Sequence, residues 1–261
     1  MGYVTPASTS RSCGHRGMAA GSGRYAPSCR PIVSERPPPR RCATRPRRGS
    51  RPRSTGGISG RLAAVEIGSS FYRHHRPATY ARWAETVPPG FRFAVKLPRA
   101  VTHDARLGPD GLPALDRFLT EVAQLGDRLA PLLDQLPPAL AFDAALAART
   151  PAASAYEPRH PSWFTGAGDA LLAGLRVARV AADPAIVPAA GRPGGWGGLA
   201  YYRLHGTPAV YRSPYPDAAL EGLAGVLRRE AAAPVWCFFD NTAAGAAPRD
   251  ALALAALLGQ D

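Results

Sequence analysis

Glu157, Arg159 and His160 stand within one short run, YEPRHPSWF (156–164), which gathers a carboxylate, a guanidinium and an imidazole. Pro158 and Pro161 keep that backbone extended, because proline fixes φ and disfavours the helical region for the residue before it. A planar guanidinium fits a phosphate or carboxylate, and an acid beside an imidazole suits proton transfer. Glu66 lies in the apolar run VEIGSSFYR (65–73). An unpaired carboxylate is costly there, so it demands a cation or a hydrogen-bond partner. Tyr72, later in that run, is a packing or rim residue. Lys96, in FAVKLPRAVTH (93–103), is the only lysine of the chain. In a chain that otherwise uses arginine, it points to a need for a compact charge with a tunable pKa. His103 sits in the loop that follows. Gln135 ends LAPLLDQ as a neutral donor and acceptor, and Asp134 beside it is expected to face a helix partner. In YYRLHG (201–206), Tyr201, Arg203 and His205 point to one side and Tyr202 and Leu204 to the other. Asp240 and Asn241 end an apolar strand before a small-residue turn. That turn could offer backbone N–H groups to an anion, or Asn241 could simply cap the last helix.

These residues need elements that bring them together. Apolar runs predict strands at Ala63–Ile67, Phe91–Leu97, Leu129–Leu136, Ala153–Glu157, Arg176–Ala181, Leu199–His205 and Pro234–Asp240. Helical periodicity falls between them, at Ala78–Thr86, Leu112–Arg128, Asp143–Arg149, Ala167–Leu175, Pro216–Ala232 and Arg249–Leu258. Alternating strands and helices imply parallel pairing with right-handed crossovers. Polar residues follow nearly every strand rather than one switch point, and no Gly-rich phosphate turn follows a first strand. That distribution fits a (β/α) barrel, whose site is built on the C-terminal ends of all its strands, better than a doubly wound sheet. Seven strands leave one place unfilled, so Ala63 and Pro234 would begin strands with open edges.

The chain has 261 residues and a formal charge of +13. The first sixty residues hold 12 of the 32 basic residues and 1 of the 19 acids, so 20 bases face 18 acids in the remainder. The charge is thus a property of an Arg/Pro-rich leader, not of the patterned body, which argues against a nucleic-acid-binding domain. Residues 1–60 show no period of 2 or 3.6 and read as a disordered basic segment. Three readings of that segment stand: a basic arm for nucleic acid, a solvated tail, or a wrong-frame or wrong-start translation of GC-rich DNA, bacterial in character. Residues 61–261 form the folded domain. The four cysteines show no zinc or disulfide spacing, and no apolar run reaches membrane-spanning length. The expectation is a cytoplasmic protein with no membrane partner.

The runs VEIGSSFYR, GFRFAVKLPRAVTH, LGDRLAPLLDQLPP, EPRHPSWF, YYRLHG and FDNTAAGAA occur in an order and spacing that resembles the domain of unknown function 72, or YecE-like, proteins. The resemblance covers about residues 61–258 and implies an α/β fold, a TIM-type (β/α) barrel, with seven family strands visible. It carries over Glu66, Lys96, His103, Gln135, Glu157, Arg159, His160, Arg203, His205, Asp240 and Asn241 as pocket residues. The family's usual first strand, ending in a Gly-x-Ser-Gly-Trp-like turn, has no counterpart in residues 1–60, and Pro158 stands where an aromatic or apolar residue is usual.

The expected function is acid–base chemistry on a small phosphate- or carboxylate-bearing substrate, by a hydrolase, isomerase or lyase. Glu66, Lys96, Glu157, His160, His205 and Asp240 are the catalytic candidates. Tyr72, His103, Gln135, Arg159, Arg203 and Asn241 are the substrate-binding ones. No cofactor is implied. Under the alternative, a nuclease-like phosphodiesterase, Glu66, His103, Glu157, His205 and Asp240 would gather a divalent metal, and a non-catalytic binding module or truncated inactive product is the third reading.

Overall fold

A computed structural model describes residues 29–35, 61–148, 154–230 and 234–259. Parallel strands surround a filled interior. They are β1 (Cys29–Glu35), β2 (Ala64–Ile67), β3 (Arg92–Lys96), β4 (Leu129–Gln135), β5 (Ala155–Glu157), β6 (Ala178–Arg179), β7 (Ala181–Asp183), β9 (Ala200–Leu204) and β10 (Val235–Phe239). A two-residue strand, β8 (Gly194–Gly195), runs antiparallel to β6. The ladder order is β7-β9-β10-β1-β2-β3-β4-β5-β6-β8. β6 and β7 are halves of one stretch, Ala178–Asp183. Its first half pairs with β5 and its second with β9. The two ends of the parallel ladder are therefore joined by continuous chain, and the eight strand positions have a TIM-like (β/α) arrangement.

Two sequence expectations need correction. The place left open between the first and last predicted strands is occupied by β1, which pairs in parallel with β10 through Cys29–Val33 and with β2 through Val33–Glu35. Within the segment expected to be disordered, Cys29–Glu35 alone is described, as a strand. The rest of that expectation lies outside the described residues, as does any reading of residues 1–28 and 36–60. The strand predicted at Arg176–Ala181 is broken at Val180 and runs on to Asp183.

The helices are α1 (Pro77–Thr86), α2 (Leu112–Val122), α3 (Ala144–Ala147), α4 (Gly166–Gly174), α5 (Asp217–Arg229) and α6 (Ala247–Leu257). Each starts for a local reason. Pro77 enters α1 in its first turn, where a missing N–H costs nothing, and Thr165 caps α4 by accepting from the Gly168 amide at 3.1 Å. The helix expected over Leu112–Arg128 ends at Val122 and continues as a 3-10 turn, because Gly126 takes φ +55°. No α-helix lies between β7 and β9; a 3-10 turn at Pro188–Gly191 stands there instead.

Strand alternation divides the core. Ala64, Ala94, Leu133, Ala155, Ala178, Val180, Tyr201 and Phe238 fill the interior. Phe93, Val95, Leu97, Leu132, Leu136 and Tyr156 face the outer layer with Phe118 and Trp163. Asp134 falls on that outer face, between Leu132 and Leu136. It is fully buried and neither carboxyl oxygen has a hydrogen-bond partner among the described residues. The helix-side partner expected for it is not found among the described residues, and burial pushes its carboxyl up to about 8. Alanine at the interior positions of β2, β3, β5 and β6, Ala64, Ala94, Ala155 and Ala178, leaves the upper interior to the polar side chains at the strand ends.

Candidate functional site

The interior pattern turns polar where the strands end. Glu66 follows Ala64 on β2, Lys96 follows Ala94 on β3, Gln135 follows Leu133 on β4, Glu157 follows Ala155 on β5, and Arg203 follows Tyr201 on β9. Period-2 alternation aims all five at the barrel axis. His205 and Asp240 lie just past the ends of β9 and β10. Gly206, at φ +90°, makes the turn after His205; a Cβ there would stand 2.7 Å from the Ser213 carbonyl oxygen.

Arg203 is the centre of this layer and is 2% exposed. Its Nε and Nη2 donate to the two oxygens of Glu66, at 3.1 and 2.7 Å. Nη1 donates to Glu157 Oε2 at 2.6 Å, and Nη2 also to Asp240 Oδ2 at 3.1 Å. One buried guanidinium thus ties carboxylates from three strand ends. Burial alone would lower its pKa, yet the Glu66, Glu157 and Asp240 charges hold it well above its ordinary range. Tyr201 adds a hydroxyl donated to Glu66 Oε2 at 2.8 Å. Burial, then Glu66, raise that phenol well above its usual value.

Glu157 accepts from four groups. Arg159 Nη1 at 2.9 Å and His205 Nε2 at 3.1 Å meet Oε1; Gln135 Nε2 at 3.1 Å and Arg203 Nη1 meet Oε2. Burial pushes the carboxyl up, but Arg203, His205 and Arg159 outweigh it and hold Glu157 well below the ordinary value. The opposite ring nitrogen of His205, Nδ1, lies 3.1 Å from Asp240 Oδ2. The imidazole thus bridges the Glu157 and Asp240 carboxylates.

Lys96 is handled differently. Its Nζ donates to Gln135 Oε1 at 2.6 Å and lies 4.0 Å from the centre of the Phe71 ring. Glu157 can only accept, which turns the Gln135 amide so that its oxygen faces Lys96. The Lys96 carbonyl takes the Ser70 hydroxyl at 2.6 Å, fixing the strand end. Burial first, then the Arg203 charge, lower the ammonium to about 8, against the opposing pull of Glu157, Glu66 and Asp240. His103 packs edge-on against Phe71, and burial followed by the Lys96 charge lowers its pKa.

The remaining candidates lie apart from this network. His160 bonds Ser162 through Nδ1, taking its amide at 3.2 Å and lying 2.8 Å from its hydroxyl, so it caps the turn at Pro161–Trp163. Asn241 donates to the Ser213 carbonyl and to Asp250, at 2.9 and 2.7 Å, which ties two loops together. Tyr72 is 63% exposed on the rim, against Phe71. Three participants were missing from the sequence candidates. Tyr201 shares strand parity with Arg203 and could have been found that way; Phe71 and Ser70 act through contacts that no spacing rule marks.

Among the described residues no group of three or more His, Cys, Asp or Glu is placed to hold a metal ion. The carboxylates converge on the Arg203 guanidinium instead. Nor is any helix among the described residues long and apolar enough to cross a membrane. A cavity of about 250 Å³ opens elsewhere, on the outer face between β7, β9 and α5. Its walls, Ala181, Tyr202, Leu204, Leu223 and Val226 among them, are mainly apolar.

Solved structures share the architecture. The chain resembles a DUF72 family protein of Enterococcus faecalis with a TM-score of 0.67 and 17% identity, over 89% of this chain and 96% of that one. A DUF72 family protein of Thermotoga maritima gives a TM-score of 0.64 and 24% identity, over 78% and 87%. No curated protein matches. A family model described as protein of unknown function DUF72 matches residues 57–261. With that match over most of its length, the chain belongs to the DUF72 family.

Proposed function

We propose that this barrel is an enzyme performing acid–base chemistry on a small phosphate- or carboxylate-bearing substrate at the C-terminal mouth. One observation carries the reading: of the charged groups in this network, Arg159 and Lys96 are the ones nearest solvent, while the Glu66, Glu157 and Asp240 carboxylates are buried and already paired. The Arg159 side chain is 21% exposed and spends one donor on Glu157; Lys96 is 9% exposed and touches no carboxylate. An anion entering the mouth meets these two groups first.

The roles follow from the hydrogen bonds. Arg203 has four donor contacts committed to carboxylates, so it holds Glu66, Glu157 and Asp240 in place. Glu157, charged and fully bonded, is a poor base and serves as the anchor for Gln135, Arg159 and His205. Lys96 is the group whose proton is exchangeable near neutrality. Below about pH 8 its ammonium attracts the anion; above it the charge is lost, so affinity for a fixed-charge anion weakens as pH rises through that value.

The test is binding to the full chain, read by calorimetry and thermal shift with inorganic phosphate, citrate and an uncharged sugar. Phosphate or citrate is expected to bind and the sugar not. Arg159→Ala is expected to weaken the anion by about 10- to 100-fold, the worth of one charged hydrogen bond. Failure of every anion to bind a folded wild-type chain overturns the proposal.

A further inference from the structure

We infer that Lys96 is an imine-forming amine, which takes the carbonyl carbon of a small aldehyde or ketone that also bears a phosphate or carboxylate. The inference rests on the anion-binding reading above and adds the reacting group of the substrate.

The composition is the first argument. The chain has one lysine and thirty-one arginines. A guanidinium delivers charge but does not give up its proton to form a C=N bond, whereas an amine does both. That single amine stands on the interior face at the end of β3, where barrels carry their chemistry.

The surroundings are the second. Nζ has one hydrogen bond, to Gln135, whose orientation is imposed by Glu157. Among the described residues no carboxylate lies within hydrogen-bonding reach of Nζ to lock it as an ammonium. Its lone pair, once the proton leaves, is uncommitted. Phe71 supplies an apolar wall on one side. Glu66, Glu157 and Asp240 act on Lys96 through space, and the same field stabilises an iminium cation. With its pKa lowered to about 8, about a tenth of the amine is unprotonated at pH 7, against less than a thousandth for an ordinary lysine.

The step balances without an oxidant or reductant. The Nζ lone pair adds to the carbonyl carbon while the carbonyl π pair moves to oxygen. Nitrogen loses one proton and oxygen gains one, giving a carbinolamine. The hydroxyl takes a second proton, the one that the Lys96 ammonium released on becoming an amine, and leaves as water as nitrogen forms the C=N bond, so ammonium and carbonyl yield iminium and water.

The test is reductive trapping. The full chain is incubated with dihydroxyacetone phosphate, with pyruvate, or with uncharged dihydroxyacetone, each with cyanoborohydride, and adducts are mapped by peptide mass spectrometry. Hydride reduces the iminium to a stable secondary amine. With one lysine, the sole competing site is the α-amino group, which serves as the internal reference for unassisted reaction. The inference expects Lys96 to be labelled at least tenfold over that reference by dihydroxyacetone phosphate or pyruvate, with labelling suppressed by inorganic phosphate. Labelling of Lys96 no greater than the reference, in a chain that still binds phosphate, overturns the imine while the anion site stands. No labelling and no phosphate binding overturns both. Equal labelling by dihydroxyacetone overturns the requirement for an anionic handle.

Discussion

Arg203→Met is expected to destabilise the folded chain by about 3–5 kcal/mol, the usual consequence of removing one partner from a buried ion cluster. The guanidinium bonds Glu66, Glu157 and Asp240, each at most 2% exposed. Without it three carboxylates face one another in the interior, with Arg159, His205 and Lys96 the remaining cationic or ionisable basic groups beside them among the described residues. For a domain of about 200 residues the loss corresponds to about 6–20 °C in Tm. Adding Glu66→Gln to Arg203→Met is expected to restore part of the loss, since one stranded charge is removed. Urea denaturation of the single and double variants measures both. A loss under about 1 kcal/mol in the single variant would show that the cluster is not held by this residue. The same network sets an acid limit. Glu157 is held well below its ordinary value, so its stabilising contribution is complete above the ordinary carboxylate range and is lost as pH falls through the lowered value.

Asp134 gives the opposite slope. Its carboxyl is pushed from 3.8 up to about 8 by burial without a partner, so the folded chain keeps a proton that the unfolded chain releases. Stability is then fully present below about pH 4 and declines as pH rises toward 8, at up to about 1.4 kcal/mol per pH unit, or on the order of 5 kcal/mol in all. Asp134→Asn removes the titration. Between pH 5 and 8 the wild-type stability is expected to fall relative to the variant, reversing the advantage by pH 8. Unfolding free energies at four pH values decide it: parallel curves for wild type and variant would mean that Asp134 is solvated or paired in solution.

Much of this architecture was legible in the sequence, for identifiable reasons. Strand alternation correctly put Tyr201 and Arg203 on one face and Tyr202 and Leu204 on the other, because period 2 is set by the backbone. The same period puts Lys96 on the face of Ala94, inside. β1 was not legible: CRPIVSE has Ile32 and Val33 as its only large aliphatics amid arginine and proline, and its place is defined by the open sides of β2 and β10, which only three dimensions supply. Side-chain roles were harder still. Arg203 and Arg159 look alike as strand-end arginines, yet one is enclosed by carboxylates and the other keeps solvent access. That difference depends on which strands face each other across the barrel. His160 was drawn into the candidate set by its neighbours, but Pro161 commits it to capping a turn.

The break at Val180 has a mechanical consequence. The hydrogen-bonded ladder changes partner within Ala178–Asp183, passing from β5 to β9, so its two ends meet along a seam only a few residues long. Arg203 on β9 grips Glu157 on β5, and this ion pair acts as a rivet over that seam from the inside. Unzipping of the wall should start there, with the amides of Ala181–Asp183 exchanging with deuterium sooner than those of β3 and β4. A ligand that tightens Glu157 against Arg203 would slow that exchange, so occupancy of the mouth would be recorded in the backbone of a wall it does not touch.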